Sequence, residues 1–350
     1  MDEICGPLFE WYDKHKRNFP WRDTRVPYYI WISEVILQQT RVAQGYDYFV
    51  RFIEHFPTVE ELAAAPEDEV MRLWQGLGYY SRARNLHAAA KQVVALGVFP
   101  CTYEGIRELK GVGDYTAAAI ASFAFDVPKA AVDGNVCRVW ARLFGIDVPI
   151  DTARGKQQIT EVAQALMPVE YAAKYNQAVM EFGALQCTPQ SPRCDECPLA
   201  HKCVALATGR VGELPMKSHK TKVVPRYMSY LYIHNGRELL LHKRTANDIW
   251  LNLYELPLIE TPSPIGPEDI FRVPDFMAWH AMLPDAVYEG STGTVKHVLS
   301  HRVLHTIFYE LVVSGPLPCP EGFVVAPFVE LEHYALPRLI EKYLEGKIGR

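Results

Sequence analysis

Four cysteines crowded into 17 residues, Cys187-x6-Cys194-x2-Cys197-x5-Cys203, constrain this chain more than any other feature. Pro189, Pro192 and Pro198 lie between them, so the segment cannot run as a regular helix and must fold as a compact loop. Such a loop can aim four thiolates at one centre, and four thiolates suit either tetrahedral zinc or a [4Fe–4S] cube. A zinc ribbon more often shows two Cys-x2-Cys pairs across a longer spacer; the single pair with wider flanking gaps favours the cube. The other four cysteines, Cys5, Cys101, Cys137 and Cys319, are scattered and read as ordinary thiols.

The loop separates two kinds of patterning. Before it, Val59–Trp74, Arg82–Leu96, Tyr115–Phe125 and Lys156–Met167 recur with helical spacing, and no segment alternates as a strand would. After it, Glu213–Lys222 is basic, lacks apolar periodicity and is bracketed by Pro215 and Pro225, which reads as a linker. Beyond the linker, Tyr227–His234 and Glu238–Lys243 are rich in β-formers and flank Asn235-Gly236, a hairpin signal. Thr294–Val313 is a further long β-branched run. The expected division is a helical domain over 1–212, a linker over 213–226 and a smaller α/β domain over 227–350. At 350 residues the chain is long enough for two cores. No apolar stretch approaches the ~18–20 residues of a membrane span, and the acidic start lacks a signal-peptide pattern, so a cytoplasmic protein is expected, nucleoid-associated if bacterial. The net charge of −5 gives no hint of a nucleic-acid partner. The basic stretch 217–222 is a candidate phosphate contact, although an ordinary solvated connector is equally lysine-rich.

Three short segments carry possible chemistry. In Leu109-Lys110-Gly111-Val112-Gly113-Asp114-Tyr115-Thr116, Gly111 and Gly113 allow a tight turn between helices, about 105–125. A glycine turn that opens a helix aims backbone N–H groups at an anion such as a phosphate, without needing a basic side chain; a plain helical hairpin is the alternative. Ala131-Val132-Asp133-Gly134-Asn135-Val136 places Asp133 at a helix start, where it is either a cap or a reactive carboxylate. Glu34 sits among Trp31, Ile32, Val35, Ile36 and Leu37. Desolvation there would hold it protonated near neutrality, as a general acid requires, unless it occupies the one exposed stripe of the helix.

Together these segments resemble the helix–hairpin–helix DNA glycosylase superfamily with an iron–sulfur loop, the group containing endonuclease III. Within it the chain is most similar to the A/G-specific, MutY-type adenine glycosylases. The matching residues are Ser33–Thr40, Gly76–Leu86, Gly111-Val112-Gly113, Val132–Val136 and the loop 187–203, in the family's order across most of residues 1–210. The fold implied is an all-α helix–hairpin–helix domain with a [4Fe–4S] loop and a Nudix-like α/β second domain. The bifunctional lyases of the superfamily carry a nucleophilic lysine just after the Gly-Val-Gly turn; Asp114-Tyr115-Thr116 stands there in this chain, which implies monofunctional hydrolysis.

The resemblance implies double-stranded DNA as partner, with adenine opposite 8-oxoguanine or guanine, and a monomeric enzyme. Glu34 would protonate the base at N7, Asp133 would stabilise the sugar cation, and Tyr115 and Asn135 would orient groups around the anomeric carbon. Adenine would be held by Arg17, Trp21, Arg22, Leu37 and Gln177, with Glu181 on the same helix. Gln39 and Tyr79 would wedge into the opened stack beside Thr40 and Leu77. The cluster ligands would be Cys187, Cys194, Cys197 and Cys203. In the second domain Leu299-Ser300-His301 aligns with the family's Phe-Ser-His loop, so Ser300 and His301 would contact the oxidised guanine. Thr261–Pro267 cannot supply the Glu-rich metal-binding helix of a working Nudix hydrolase, so this domain is expected to bind and not hydrolyse. The competing readings are a thymine-mismatch or oxidised-pyrimidine glycosylase of the same fold, or a catalytically silent iron–sulfur damage sensor.

Overall fold

A computed structural model describes residues 3–218 and 223–348. The chain divides into two compact units, Met1–Ala64 with Asn85–Lys220, and Ala65–Arg84 with Thr221–Arg350. This differs from a break at the linker alone, because residues 65–84 join the second unit. The linker's residues 219–222 lie outside the described residues, and with them most of the proposed phosphate contact at 217–222.

The first unit is helical throughout its described residues. Helix Pro27–Leu37 starts with proline at its first turn, where the missing N–H costs nothing. Tyr28 and every residue from Ile30 to Ile36 are buried, so the helix is an interior rod and not an amphipathic surface helix. It packs on helix Asp114–Phe125, whose Ala117, Ala118 and Ala119 are fully buried and small enough to permit close approach. Before that helix, Thr102 caps helix Tyr103–Arg107 by accepting from the Gly105 N–H at 3.1 Å. The turn between the two needs glycine at position 111. Its φ is +76°, and a Cβ there would lie 2.5 Å from that of Asn85. The hairpin expected over 105–125 is therefore present. A second packed group joins helix Cys5–His15 to Gly134–Phe144 and Ala172–Leu185 through Leu8, Trp11, Trp140, Tyr175 and Phe182.

The second unit is a mixed sheet between helices. Its strands are β1 (Val224–His234), β2 (Glu238–Lys243), β3 (Tyr254–Glu255), β4 (Leu258–Thr261), β5 (Val287–Ser291), β6 (Val295–Val298), β7 (Arg302–Val312) and β8 (Phe323–Pro327). The order is β3-β2-β1-β7-β5, with β4 on β1, β6 on β7 and β8 on β2. The central pair β1 and β7 is parallel, in register from Val224–Arg302 to His234–Val312. Met228–Ile233 is buried without alternation, as a strand covered on both faces requires. On one face Leu231, Ile233, Tyr309 and Leu311 pack under Phe276 of helix Pro274–Met282. On the other, Tyr343 of helix Arg338–Ile348 stacks on Phe308 at 3.9 Å and meets Tyr232 edge-on. The run Thr294–Val313 is not one strand: it turns at Leu299-Ser300-His301, where Leu299 N–H donates to the Arg302 carbonyl at 2.8 Å. Among the described residues no helix is long and apolar enough to cross a membrane.

Candidate active site

In the helical unit a cavity of about 450 Å³ is lined by Glu34, Tyr115, Asp133, Asn135, Arg17, Trp21, Arg22, Leu37, Gln177, Gln39 and Thr40, all singled out in the sequence. Glu34 is only 8% exposed. Burial, with the nearby Asp133 charge adding to it, raises its carboxyl to about 7, although a hydrogen bond from Tyr115 and the charge of Arg22 pull the other way. The Tyr115 hydroxyl donates to Glu34 Oε2 at 2.7 Å. Asp133 is held differently. It caps helix Gly134–Phe144, accepting from Val136 N–H at 2.8 Å and Asn135 Nδ2 at 2.7 Å. Burial raises its carboxyl too, but those N–H donors hold it back. The sequence's two readings of Asp133, a cap or a reactive group, are therefore compatible: the cap presents its carboxylate to the cavity.

Arg17, Arg22 and Glu181 form a bonded group elsewhere on the wall. Glu181 accepts from Arg17 and Arg22, and Tyr12 OH donates to Gln177 Oε1 at 2.7 Å. Among the wall residues that the sequence reading did not assign are Gln38, Ser33 and Met180. Gln38 donates from Nε2 to Thr116 Oγ1 at 3.0 Å, tying the end of helix Pro27–Leu37 to the start of Asp114–Phe125. Ser33 and Met180 also line the cavity. Met180 was recoverable, since it stands one helical turn after Gln177; Ser33 donates to the Ile30 carbonyl and gives no such signal. Gln39, exposed at the cavity rim, has φ +59°, a left-handed conformation that a non-glycine residue adopts only when its surroundings impose it.

Gly111 and Gly113 belong to the hairpin turn and do not line the cavity. Leu77, Tyr79, Ser300 and His301 belong to the second unit. Tyr79 is exposed at φ +48° in a loop shaped by Gly76 and Gly78, both at positive φ. Arg82 fixes that loop by donating to the carbonyls of Leu77 and Gly78 at 3.3 and 3.2 Å, while Leu77 is buried. Tyr79 OH hydrogen-bonds Ser300 Oγ, and His301 is exposed beside it in the β6–β7 turn.

The four cysteines surround a second cavity of about 30 Å³. Among the described residues no three Cys, His, Asp or Glu side chains meet closely enough to hold a single metal ion. Four thiols lining one cavity are a donor set that fits an iron–sulfur cluster. Arg142 braces the loop, donating to the Thr188 carbonyl at 2.7 Å and to Cys187 Sγ at 3.4 Å. Arg138 joins loop and active site: it donates to the Cys187 carbonyl at 2.7 Å, the Gly183 carbonyl at 2.6 Å and Asn135 Oδ1 at 2.8 Å. Gly183 makes that approach possible, since a Cβ there would lie 2.6 Å from that of Asn135.

Known families match this chain in both its helical and its sheet regions. Residues 32–168 match the HhH-GPD superfamily of base excision DNA repair proteins, 187–203 the iron–sulfur binding domain of endonuclease III, and 229–346 the NUDIX domain. The chain is 33% identical to the adenine DNA glycosylase of Buchnera aphidicola (strain APS), covering 97% of this chain and 96% of that one. It is 44% identical to the Homo sapiens adenine DNA glycosylase, covering 89% of this chain and 67% of that one. Among solved structures, a thermostable thymine-DNA glycosylase superposes with TM-score 0.53 at 28% identity, covering 58% of this chain and 94% of its own. An endonuclease III–DNA complex gives 0.51 at 26%, covering 60% of this chain and 98% of its own. The adenine enzymes of Buchnera and Homo sapiens align through the NUDIX region as well as the helical one, and the chain, which carries a [4Fe–4S] cluster, belongs to the adenine DNA glycosylase family.

Proposed function

We propose that this enzyme extrudes adenine mispaired with 8-oxoguanine or guanine from duplex DNA and hydrolyses its glycosidic bond, leaving an abasic site. The observation that carries the reading is a single cavity in which two of the carboxylates, Glu34 and Asp133, stand in contrasting environments. Glu34, desolvated and hydrogen-bonded by the neutral hydroxyl of Tyr115, is the proton donor to N7 of the purine. Asp133, bonded to helix-start N–H groups, is the charge that steadies the developing sugar cation. Tyr115 orients the Glu34 proton, and Asn135, anchored by Arg138, orients Asp133. Arg17, Trp21, Arg22, Leu37 and Gln177 hold the extruded base, paying part of the roughly few kcal/mol that unstacking costs.

Gln39 and Thr40 at the rim fill the space the base leaves, and Gly111 and Gly113 present backbone N–H groups to a phosphate; in the second unit the exposed Tyr79 contacts DNA, whereas Leu77, expected beside it, is buried and supports its loop. Ser300 and His301 read the partner base. Among the described residues lining the cavity there is no lysine, which supports hydrolysis without a lyase step. A cluster held by the four cysteines would keep loop 187–203 in shape, and Arg138 ties that loop to Asn135. The protein acts as one copy, in the compartment that contains the DNA.

Single-turnover strand scission, with and without hot alkali, on duplexes placing adenine opposite 8-oxoguanine, guanine or thymine tests this. Expected is alkali-dependent cleavage at adenine, fastest opposite 8-oxoguanine. Scission without alkali, or cleavage only at a pyrimidine, would replace the reading with a lyase or thymine enzyme. Binding without cleavage would leave a damage sensor.

A further inference from the structure

Glu181 is the most completely engaged carboxylate of the cavity, and the reaction as described gives it no part. It is 1% exposed on helix Ala172–Leu185. Oε1 accepts from Arg17 Nε at 2.8 Å and the Arg17 backbone N–H at 3.0 Å. Oε2 accepts from Arg17 Nη2 at 2.8 Å and Arg22 Nη2 at 2.6 Å. Arg22 Nη1 closes the ring by donating to the Arg17 carbonyl at 2.7 Å. Both guanidinium groups lie over Phe19, at 5.2 and 4.9 Å, and Phe19 stacks on Trp21 at 4.8 Å. One carboxylate thus fixes the loop carrying Arg17, Trp21 and Arg22, three of the residues assigned to the base.

We propose that Glu181 is a positioning residue for base excision, locking Arg17 and Arg22 as a rigid pair on the cavity wall and offsetting one of their two positive charges. This rests on the reading that the cavity takes adenine and that Glu34 is the acid. Glu181 is not itself a proton donor: burial raises its carboxyl, but the hydrogen bonds from Arg17 and Arg22 outweigh this and hold it at about 2. The groups facing Glu34 are Tyr115 from helix Asp114–Phe125, Asp133 from the next helix start, Arg17 and Arg22 from the loop, and Glu181. Helix Val42–His55 adds only Val42 to the wall. Arg22 lowers the Glu34 carboxyl. Neutralising Glu181 leaves the arginines' field unopposed, favours ionised Glu34, and moves the alkaline loss of activity to lower pH. Removing the Arg22 charge moves it higher.

The test is a double-mutant cycle of Glu181→Gln and Arg22→Gln in the full chain, with single-turnover excision measured from about pH 5 to 9 and duplex affinity measured separately. Glu181→Gln should displace the alkaline limb by roughly 0.5–1 pH unit to the acid side. It should also slow excision at pH 8 by about tenfold, with affinity changed less than about threefold. Glu181→Asp, which keeps the charge, should restore the limb even if its shorter reach leaves the rate low. Arg22→Gln should move the limb the other way, and the double variant should bring it back. A limb that stays in place in Glu181→Gln while the rate falls uniformly would reduce Glu181 to a packing role and overturn the proposal. A wild-type profile flat through pH 7 would count against Glu34 as the acid. The decision would then fall to the rates: strong non-additivity between Glu181 and Arg22 supports the locked pair, and simple additivity overturns it. Should Glu181→Gln fold poorly, Glu181→Ala removes the same charge, and a limb that stays in place there would equally overturn the proposal.

Discussion

Each unit contains three carboxylates and two arginines in close quarters, and they are distributed in opposite ways. In the sheet unit Arg244 donates to both Glu255 oxygens and to Asp248, while Arg226 donates to Asp248 and, with two nitrogens, to Glu260. Every acid touches a cation, and Tyr230 OH completes Glu255 at 2.9 Å. Burial raises the Asp248 carboxyl, but the Ile249 N–H and Arg226 more than reverse this. In the helical unit both arginines go to Glu181, leaving Glu34 with a hydroxyl and Asp133 with amides. Pairing each buried charge builds a frame. Concentrating the cations on one acid leaves two others whose protonation states can differ, which is what acid-assisted hydrolysis needs.

The sharpest way to break the contrast is Glu34→Gln. Excision should fall by about 10²–10⁴-fold in single turnover while affinity for the mispaired duplex persists; undiminished excision would remove Glu34 as the acid. Asp133→Asn should cost excision about 10²-fold or more through loss of charge, yet keep the helix cap, because Asn caps as well as Asp. Asp133→Ala should cost about 1 kcal/mol of stability in addition, read by urea unfolding. If Asn and Ala are equally destabilised, the cap plays no part.

On the sheet side, Arg244→Met leaves Glu255 without its cation and should lower stability by roughly 3–5 kcal/mol in denaturant titration; a change under about 1 kcal/mol would mean the frame does not depend on pairing. The smallest effect concerns pH. The Glu34 carboxyl lies above its ordinary value in the fold, so between about 4.5 and 7 the native state binds more protons than the unfolded one. Stability contributed by this group is therefore lost as pH rises through that window. Glu34→Gln should be more stable than wild type at pH 8, by on the order of 1–3 kcal/mol, and no more stable at pH 4. Parallel stability curves for the two proteins would show that Glu34 is not strained in the fold.

The elements legible in the sequence were those fixed by local chemistry. The glycine turn, the capping Asp133, the cysteine loop and the Asn235-Gly236 hairpin each follow from residues adjacent in the chain. Glu34's burial also followed, because its helix is apolar on every side. What did not follow were relations set by tertiary packing. Nothing in Ala65–Arg84 distinguishes it from the helices around it in sequence, yet it belongs with the sheet. Gln38 was passed over beside Gln39 because its partner, Thr116, is 78 residues away. Thr294–Val313 read as one run because the turn at Leu299-Ser300-His301 contains neither glycine nor proline to mark it.

The membership of residues 65–84 in the sheet unit also bears on how the molecule can be taken apart. Arg84 donates to the Leu251 carbonyl at 2.8 Å, Leu336 N–H donates to Gln75 Oε1 at 3.1 Å, and Lys243 pairs with Asp68 at 2.5 Å. A protease nick in the linker therefore does not release two finished products. The amino-terminal fragment carries away a piece of its neighbour, with the severed hydrogen bonds of Asp68, Gln75 and Arg84 opened to water and Tyr79 parted from Ser300. Gene truncations that stop at residue 218 inherit the same orphaned segment, so their defects report on a torn unit and not on a helical domain acting alone.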